Sequence, residues 1–388
     1  MKILIASDLH WPTINGVATF SRNLAYGLAE RGHEVLVIAP SQTGKRYEEY
    51  DRNHLVKRTI SVPFPFYQNF KISPGAQIGV KRIIDEFEPD VIHIQMLMWI
   101  GQAAMKHGNK RGIPIVSTNH AMPENLLDNL RLLAPLAKPV SYMLTEYGRR
   151  FHSKSDYITM PTQSAIDIFD ASNKVQVPME PVSNGIDLSQ FKTGSVDPSL
   201  YQKFGIPTDK PIIGYVGRLD AEKHLSVLVK AFDQVVKKKP AHLMLIGAGT
   251  DSENLKDLVT ELHLNDQVTF TGRISEEDKI QLHRAPMVFA MPSPAELQSI
   301  ATLEAMASGQ PIVAVDAGAL GELCQDGYNG YLCEPDNHDQ IAESLLKIIS
   351  DPEQRAQMSQ NSQEIAAKHD INYTLDRFES IYQQLIKS

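Results

Sequence analysis

Two cations in the middle of the chain have the types and the spacing to hold a diphosphate. An apolar run over residues 212–217 ends in Gly217, and Arg218 and Lys223 follow it five residues apart. A guanidinium offers a planar fork to phosphate oxygens, and an ammonium adds a compact point charge. Ligands of parallel α/β sheets bind at the carboxyl ends of strands, so we expect both cations to face an anionic ligand. The alternative is a pair of ordinary surface cations.

Two glutamates further along the chain suit a ligand that is rich in hydroxyl groups. Glu296 precedes a predicted helix that starts at about Ser299, and Glu304 lies inside that helix. The N-terminus of a helix attracts phosphate through its free N–H groups and its positive dipole end. A carboxylate before the helix can accept from sugar hydroxyls, and one inside it can reach a ribose diol. Two solvated charges are the alternative, which the mainly apolar or small residues between them disfavour.

His120 and a glycine-containing loop are two further candidates. His120 lies just after a predicted strand, where a lone histidine is more often a hydrogen-bonded structural residue than a chemical group. The loop from Gly247 to Asp251 resembles a dinucleotide-binding loop, but it lacks a third glycine and Asp251 would repel phosphate. We therefore predict that this loop is a plain turn between a strand and a helix.

Alternating strand and helix patterns would position these residues. In the first half the predicted strands cover residues 2–6, 34–39, 57–62, 89–94, 113–118 and 157–161, with a helix over 19–31. In the second half they cover 212–217, 242–246, 268–271, 288–291 and 311–315, with a helix over 226–237. This alternation predicts parallel sheets that are covered by helices. Two such series predict an α/β protein of two Rossmann-like domains facing a cleft.

The break between the two series falls at about residues 182–197, where the hydrophobic periodicity is poor. Asn184, Gly185 and Gly194 are typical loop residues in this stretch. We predict an N-terminal domain over 1–187 and a C-terminal domain over 188–370. The remaining residues, 371–388, are predicted to form a helix that packs back on the N-terminal domain.

The bulk composition excludes several classes of protein. The net charge of the 388 residues is −8, with 20 Lys and Arg against 18 Asp and Glu in residues 1–190, and 18 against 28 in the rest. This is no basic footprint for nucleic acid. No apolar run reaches eighteen residues, and the apolar start meets Ser7 and Asp8 too soon for a signal peptide. Cys324 and Cys333 lack zinc-site spacing, so we expect reduced thiols in a cytoplasmic protein.

Taken together and in order, these residues resemble a known family, the retaining family 4 glycosyltransferases of the GT-B fold. The likeness covers essentially the whole chain, and its joint order is specific although each piece alone is not. The pieces are Asn15-Gly16-Val17, His120, Ser183-Asn184-Gly185-Ile186-Asp187, Gly217-Arg218-Leu219 with Glu222-Lys223, Glu296 with Glu304-Ala305-Met306-Ala307-Ser308-Gly309, and Gly327-Tyr328-Asn329-Gly330.

The resemblance implies roles for the candidate residues. Arg218 and Lys223 would hold the donor diphosphate, Glu296 would contact the donor sugar, and Glu304 would contact the ribose. His120 would lie near the 6-position of that sugar and position charge there, rather than act as a general base. The other implied donor contacts are Gly16 and Gly217 at the diphosphate, Leu297, Gln298, Ser299 and Ile300 at the phosphate and ribose, and Ile274 at the nucleobase. The family often has two glycines in the first loop, and Asn15 departs from that pattern.

The resemblance also implies an enzyme, a hexosyltransferase that retains the anomeric configuration and uses a nucleotide sugar as co-substrate. Transferases of the other large fold use an Asp-x-Asp pair to hold a cation on the diphosphate, and this sequence contains no such pair. Since Arg218 and Lys223 can supply the charge, we predict that the enzyme needs no metal and no other cofactor.

The acceptor is predicted from a basic and aromatic stretch between Lys138 and Lys154 in the less acidic half of the chain. Such a surface can rest on anionic lipid, and the alternative is a core helix with a solvated end. The resembled family includes diacylglycerol glucosyltransferases and phosphatidylinositol mannosyltransferases. We therefore favour UDP-glucose as the donor and a membrane lipid as the acceptor, with the protein peripheral on the inner face of the cell membrane. The alternatives are a soluble or polysaccharide-precursor acceptor, GDP-mannose as the donor, or a nucleotide-sugar epimerase or binding protein.

Overall fold

The chain forms two compact units. One consists of Met1–Gly185 with Asn372–Ser388, and the other of Ile186–Ile371. The structure is a computed structural model that describes residues 1–13, 15–64, 70–120 and 137–387. Each unit has its own sheet and its own hydrophobic core.

The first unit is built on a parallel sheet with one antiparallel edge. Its strands are β1 Lys2–Ala6, β2 Glu34–Pro40, β3 Tyr47–Asp51, β4 His54–Thr59, β5 Val62–Pro63, β6 Lys71–Ile72, β7 Val91–Ile94, β8 Ile115–Thr118, β9 Tyr157–Met160 and β10 Met179–Pro181. Its helices are α1 Gly16–Glu30, α2 Ala76–Phe87, α3 Trp99–Asn109, α4 Ala137–His152, α5 Gln163–Phe169 and, from the end of the chain, α14 Ile371–Lys387. Eight strands pair in the order β10-β9-β8-β7-β1-β2-β4-β3, and β3 runs antiparallel to β4.

The second unit is built on a six-stranded, fully parallel sheet. Its strands are β11 Ile212–Val216, β12 His242–Ile246, β13 Val268–Gly272, β14 Val288–Met291, β15 Ile312–Val315 and β16 Gly330–Cys333. Its helices are α6 Pro198–Phe204, α7 Leu225–Val236, α8 Ser252–Glu261, α9 Glu276–Leu282, α10 Ile300–Ala307, α11 Leu320–Leu323, α12 His338–Ser350 and α13 Pro352–Ala367. A 3₁₀ turn covers Ala221–Lys223.

The strand order of the second unit is that of a doubly wound sheet. The order β13-β12-β11-β14-β15-β16 reverses direction between β11 and β14. Strands β11, β12, β14 and β15 are buried along their whole length, as expected where helices cover both faces of a parallel sheet. The predicted α/β class with two Rossmann-like domains is therefore confirmed.

The C-terminal helix α14 belongs to the first unit. Phe378 packs on Phe20 with ring centroids 6.0 Å apart, and the Tyr382 hydroxyl is hydrogen-bonded to Nδ1 of buried His93 at 2.6 Å. Leu375 fills the space where a side chain at Gly27 of α1 would stand, since a Cβ there would lie 2.5 Å from a Leu375 methyl. The apolar face of the helix and this buried polar contact thus both help to fix it, together with ion pairs such as that of Arg377 with Glu180.

Two predicted elements have different bounds in the structure, and one edge strand was not predicted. The strand predicted over 57–62 is β4, which starts at His54 and ends at Thr59 because it pairs with β2 from Leu55 to Thr59. The edge strand β3 was missed because its sequence, Tyr47–Asp51, is polar and is ordered by pairing with β4. The helix predicted over 19–31 begins at Gly16, because Asn15 caps it by accepting from the Ala18 N–H at 2.8 Å.

Two remaining predictions concern the thiols and the membrane. Cys324 and Cys333 are buried and unpaired with each other, in agreement with two reduced thiols. Among the helices that the structure describes, none is both long enough and apolar enough to cross a bilayer.

Candidate functional site

The loops that follow β11 and β14 carry most of the predicted site residues of the second unit. Ligands of doubly wound sheets bind outside the carboxyl ends of the strands, where the strand order reverses. That reversal lies between β11 and β14, and Gly217 follows the first of these strands while Glu296 follows the second. Topology therefore places these two loops at the usual ligand position.

The loop after β11 has little room around its glycines. A Cβ on Gly217 would lie 2.6 Å from the Tyr215 hydroxyl, and a Cβ on Gly247 would lie 1.9 Å from the Gly217 carbonyl oxygen. The Tyr215 hydroxyl donates to the carbonyl of Arg218 at 2.9 Å. These contacts fix the backbone at the point where Arg218 leaves the sheet. The segment from Gly247 leads from β12 into α8, which confirms the predicted turn.

Both predicted phosphate cations have carboxylate partners. The Arg218 guanidinium donates to Asp220 and to Glu222, whose side chain is only 1% exposed. Nζ of Lys223 lies 2.7 Å from Oε1 of Glu296 and 3.8 Å from Oε1 of Glu222. Arg218 and Lys223 are therefore oriented by fixed acids and are not free surface charges.

Helix α10 begins beside this group. The Ser299 side chain caps the helix by accepting from the Thr302 N–H at 3.3 Å and from the Thr302 hydroxyl at 2.8 Å. Leu297, Gln298 and Ser299 are buried. The first turn of any helix leaves backbone N–H groups without partners inside the helix, and these attract anions. Ile300 and Ala301, which form the start of this first turn, can thus offer N–H groups to a phosphate, whereas Leu297 and Gln298 precede the turn.

The loop after β15 contacts the backbone of Glu296 and fixes its position. Its carbonyl oxygen accepts from the Ala319 N–H at 2.8 Å. A Cβ on Gly318 would lie 2.5 Å from the same oxygen, and Gly318 has a φ of +57°. The side chain of Glu296 is 12% exposed and points its Oε1 at Lys223. A glycine is therefore required against the backbone of Glu296.

Glu304 is buried and contacts two side chains, a lysine and a histidine, that sequence reasoning missed. Its Oε1 lies 2.8 Å from Nζ of Lys279, and its Oε2 lies 3.1 Å from Nε2 of His283. Burial alone would raise the pKa of Glu304, but Lys279 and His283 outweigh it and lower this pKa to about 2. Lys279 and His283 lie in or next to α9, 21 to 25 residues before Glu304, and no motif marks them.

Ile274 and the two predicted residues of the first unit are placed as follows. Ile274 follows β13 and packs against the core of the second unit. Gly16 is the first residue of α1, directly after the cap Asn15. Nε2 of His120 lies 2.8 Å from Oε1 of Gln95, and its ring packs on Phe20 with centroids 4.9 Å apart. Burial lowers the pKa of His120 to about 3, so its imidazole is neutral.

One group of side chains in the described part of the chain has the spacing for a metal ion. His10, Asp51 and His54 of the first unit each offer a ligand atom, and these atoms lie within 4.8 Å of one another. Both oxygens of Asp51 already accept from Arg22, each at 2.7 Å. Arg22 would have to give up this bidentate pair before Asp51 could bind a cation well. The group is therefore a poor fit for a metal.

Two family models match the chain and together cover nearly all of residues 14–365. The first, described as Glycosyltransferase Family 4, matches residues 14–190. The second, described as Glycosyl transferases group 1, matches residues 197–365.

Characterised relatives match over most of their own length. The chain is 26% identical over 378 residues to the alpha-monoglucosyldiacylglycerol synthase of Streptococcus pneumoniae, covering 95% of this chain and 83% of the relative. It is 27% identical over 341 residues to the GDP-mannose-dependent alpha-mannosyltransferase of Mycolicibacterium smegmatis, covering 87% and 85%.

Solved structures share the fold. The sucrose-phosphate synthase of Thermosynechococcus elongatus superposes with a TM-score of 0.81 at 19% identity, covering 100% of this chain and 99% of that one. Alr3699/HepE of Anabaena in complex with UDP-glucose superposes with a TM-score of 0.75 at 22% identity, covering 99% and 100%. At these identities the likeness establishes the fold, which is GT-B.

Proposed function

Because this chain belongs to the family 4 glycosyltransferases, we propose that it moves a hexose, with glucose favoured, from a nucleotide sugar to a membrane lipid such as diacylglycerol, with retention of configuration. The observation that carries the proposal is the contact between Lys223 and Glu296, 2.7 Å apart at the carboxyl ends of β11 and β14. A cation suited to phosphate and a carboxylate suited to sugar hydroxyls thus lie within reach of one nucleotide sugar. UDP is the favoured nucleotide, in line with the UDP-glucose complex of the Anabaena protein.

In the proposed reaction, Arg218 and Lys223 stabilise the leaving group. The bond between the anomeric carbon and the diphosphate oxygen breaks, and negative charge builds on the diphosphate. The acceptor oxygen attacks from the same face of the sugar, and a donor phosphate oxygen takes the acceptor proton. Because fixed acids already orient both cations, little reorganisation is needed as the charge develops.

His120 is proposed to position the sugar and not to remove a proton. An amide oxygen only accepts, so Nε2 of His120 donates to Gln95 Oε1 and leaves Nδ1 as an acceptor for a sugar hydroxyl. With a pKa near 3, this imidazole is a weak base at neutral pH.

The transfer is proposed to be independent of metal, because Arg218 and Lys223 neutralise the diphosphate. We predict that EDTA leaves the initial rate of donor turnover unchanged, as measured by release of nucleotide diphosphate. A metal-dependent glycosyltransferase assayed in parallel serves as the control. Loss of turnover in EDTA that manganese or magnesium restores would contradict this part of the proposal.

The lipid acceptor is proposed from the surface of α4. Tyr142 and Met143 are 64% and 60% exposed, Tyr147 is 44% exposed, and the side chain of Arg150 is 77% exposed. Aromatic and aliphatic groups next to cations are typical of helices that lie in the interface of an anionic membrane. The relative from Streptococcus pneumoniae, named a monoglucosyldiacylglycerol synthase, supports the same acceptor class.

A second candidate is transfer of mannose from GDP-mannose, which the mannosyltransferase from Mycolicibacterium smegmatis supports at a similar identity. The proposed nucleobase contact near Ile274 and the proposed sugar contact near Glu296 do not distinguish the two donors, and we rank GDP-mannose second because the UDP-glucose complex of the Anabaena protein supports UDP. Soluble acceptors, and a nucleotide-sugar epimerase or binding protein, are the remaining alternatives.

A matrix of donors and acceptors tests the proposal. The purified protein is incubated with UDP-glucose, UDP-galactose, UDP-N-acetylglucosamine or GDP-mannose, each with diacylglycerol vesicles, phosphatidylinositol vesicles or no lipid. Products are identified by mass spectrometry and the anomeric configuration by NMR. We expect glucosyl-diacylglycerol with an α-linkage. Release of nucleotide diphosphate without any lipid product would overturn the lipid acceptor, and a changed sugar without transfer would favour an epimerase.

A further inference from the structure

The Glu304 carboxylate is contacted by residues that lie outside the sequence motif in which Glu304 stands. Each of its two carboxylate oxygens accepts from a different donor, Nζ of Lys279 at 2.8 Å and Nε2 of His283 at 3.1 Å. Both donors come from α9 or the residue after it, whereas Glu304 lies in α10. The side chains of His283 and Glu304 are 1% and 6% exposed, so this is a buried arrangement and not a surface ion pair.

We propose that Lys279 and His283 are positioning residues that hold the Glu304 carboxylate, ionised and fixed in its plane, for a bidentate contact with the ribose diol of the nucleotide. The inference rests on the proposed function, because it concerns the ribose of the nucleotide sugar. It adds two residues that set selectivity for an intact ribose.

The hydrogen-bond capacity of the carboxylate allows this role. An ionised carboxylate has about four lone-pair positions, and Lys279 and His283 occupy two of them. One donor on each oxygen prevents rotation of the group and leaves one position on each oxygen for a ribose hydroxyl. Because an ionised carboxylate only accepts, Nε2 of His283 carries the proton in this arrangement.

The two donors are themselves held in place. Nζ of Lys279 also contacts Oε1 of Glu276 at 2.8 Å and lies 5.5 Å from the centre of the Phe191 ring. The His283 ring is edge-on to Phe191, and the carbonyl of His283 accepts from the Gln310 side chain. Rigid donors of this kind are what keeps a binding carboxylate in one orientation.

Charge gives a second reason for Lys279. Burial disfavours an ionised carboxylate, and both hydroxyls of a diol must donate if they are to bind the same group. Without the ammonium, Glu304 would take up a proton more easily and one oxygen would become a donor. A structural ion pair that merely joins α9 to α10 is the competing explanation, so the test must measure selectivity for the ribose and not stability alone.

Isothermal titration with UDP and with 2′,3′-dideoxy-UDP separates the two explanations. The quantity measured is the ratio of the two dissociation constants, and GDP with its dideoxy analogue is used in the same way if GDP binds more tightly. We expect the wild-type ratio to favour UDP about ten-fold or more, as for hydrogen bonds to a charged group. Glu304→Gln, Lys279→Met and His283→Leu should each bring the ratio towards one.

Two controls exclude an effect of folding. Lys203→Met removes a lysine of α6 that pairs at 2.6 Å with Asp278, the neighbour of Lys279 in α9. This variant should leave the ratio unchanged. Lys279→Arg retains a cation and should keep most of the selectivity. In the Glu304→Gln background, Lys279→Met should have no further effect on the ratio, because a positioning residue acts only through the group it holds.

The outcomes distinguish this inference from the proposed function. If the wild-type protein binds neither UDP nor GDP, the proposed function fails and the inference fails with it. If Glu304→Gln abolishes the selectivity but Lys279→Met weakens UDP and its dideoxy analogue equally, the proposed function stands and Lys279 is only structural. Melting temperatures of all variants show which of them are folded at the temperature of titration.

Discussion

Arg218 and Lys223 illustrate how single residues become useful through what holds them. A lone arginine and lysine five residues apart are common on protein surfaces. Here the guanidinium donates to Asp220 and Glu222, and Lys223 pairs with Glu296. Fixed cations lose little conformational entropy when a ligand binds, and they suit a group on which charge develops.

The first prediction concerns the two cations. Arg218→Ala or Lys223→Ala should raise the barrier to turnover by about 2–4 kcal/mol, by analogy with the loss of a donor that stabilises developing negative charge. The measurement is kcat for the favoured donor at saturating acceptor. Lys256→Ala is the matched control, because it removes an exposed lysine that pairs with Glu253 in α8 of the same unit. Near-normal turnover of either cation variant would show that the diphosphate is held elsewhere.

At this scale the sequence could predict residue types but not all of their partners. Arg218, Lys223, Glu296 and Glu304 stand in motifs with fixed spacing, so they could be singled out from the sequence. Lys279 and His283 contact Glu304 from another helix. No spacing rule links them to Glu304, because only the packing of α9 against α10 brings them together.

At the scale of elements, the loop after β15 supports the loop after β14. The Ala319 N–H donates to the Glu296 carbonyl, and Gly318 passes so close to that carbonyl that a Cβ would lie 2.5 Å from it. Gly318 also has a φ of +57°, which non-glycine residues rarely adopt. The position of Glu296 therefore depends on a glycine 22 residues later in the sequence.

The second prediction tests this support. Gly318→Ala should destabilise the second unit by about 1–3 kcal/mol through backbone strain, and it should also weaken nucleotide-sugar binding, because Glu296 must move away from the new methyl group. Gly205→Ala is the control, since Gly205 has a φ of +65° but nothing lies within 4 Å of its Cβ position. Thermal denaturation and titration with the donor are the measurements. Equal effects of the two variants on binding would show that collision with Glu296 is unimportant.

The third prediction concerns α4. Replacing Tyr142 and Met143 with serine should lower sedimentation with vesicles that contain anionic phospholipid, because both side chains are more than half exposed. Ile78→Ser is the control, since Ile78 is 75% exposed on α2 of the same unit. Binding of the wild-type protein should fall as salt is raised. If the wild-type protein does not sediment at low salt, a soluble acceptor is favoured.

At the scale of the whole molecule, the two units differ in their buried histidines. Burial is the main cause that lowers the pKa of five histidines in the first unit to about 3 or 4, namely His10, His54, His93, His120 and His152. In the second unit, burial lowers the pKa of His242 to about 4, and it also lowers the pKa of His369. The unfolded chain takes up these protons below pH about 6.5, and the folded chain does not until pH 3–4.

The fourth prediction follows from this difference. The histidines contribute stability that is fully present above pH 6.5 and is lost as the pH falls towards 4. Asp8 has the opposite effect on the pH dependence of stability, because burial raises its pKa to about 7. It is, however, one group against five histidines. We therefore expect the first unit to unfold at a higher pH than the second.

Tryptophan fluorescence can follow the first unit alone, because both tryptophans of the chain, Trp11 and Trp99, lie in it. During acid titration the fluorescence should change before most of the helical circular dichroism is lost. Replacing His54 with Asn should shift the fluorescence transition to lower pH, since this imidazole has no hydrogen-bond partner among the described residues. Coincident transitions would contradict the prediction.

The sequence alone determined the fold class and the candidate motifs for a donor site, because both depend on local periodicity and on fixed spacing along the chain. Apolar runs such as Ile212–Val216 and His242–Ile246 mark buried parallel strands whatever lies around them. Only the tertiary structure decided the polar edge strand β3, the glycine under Glu296 and the partners of Glu304. Each depends on contacts between residues far apart in sequence, and such contacts leave no periodic signal. Candidate residues for the chemistry could thus be singled out from the sequence, whereas the means of holding each residue in place could not.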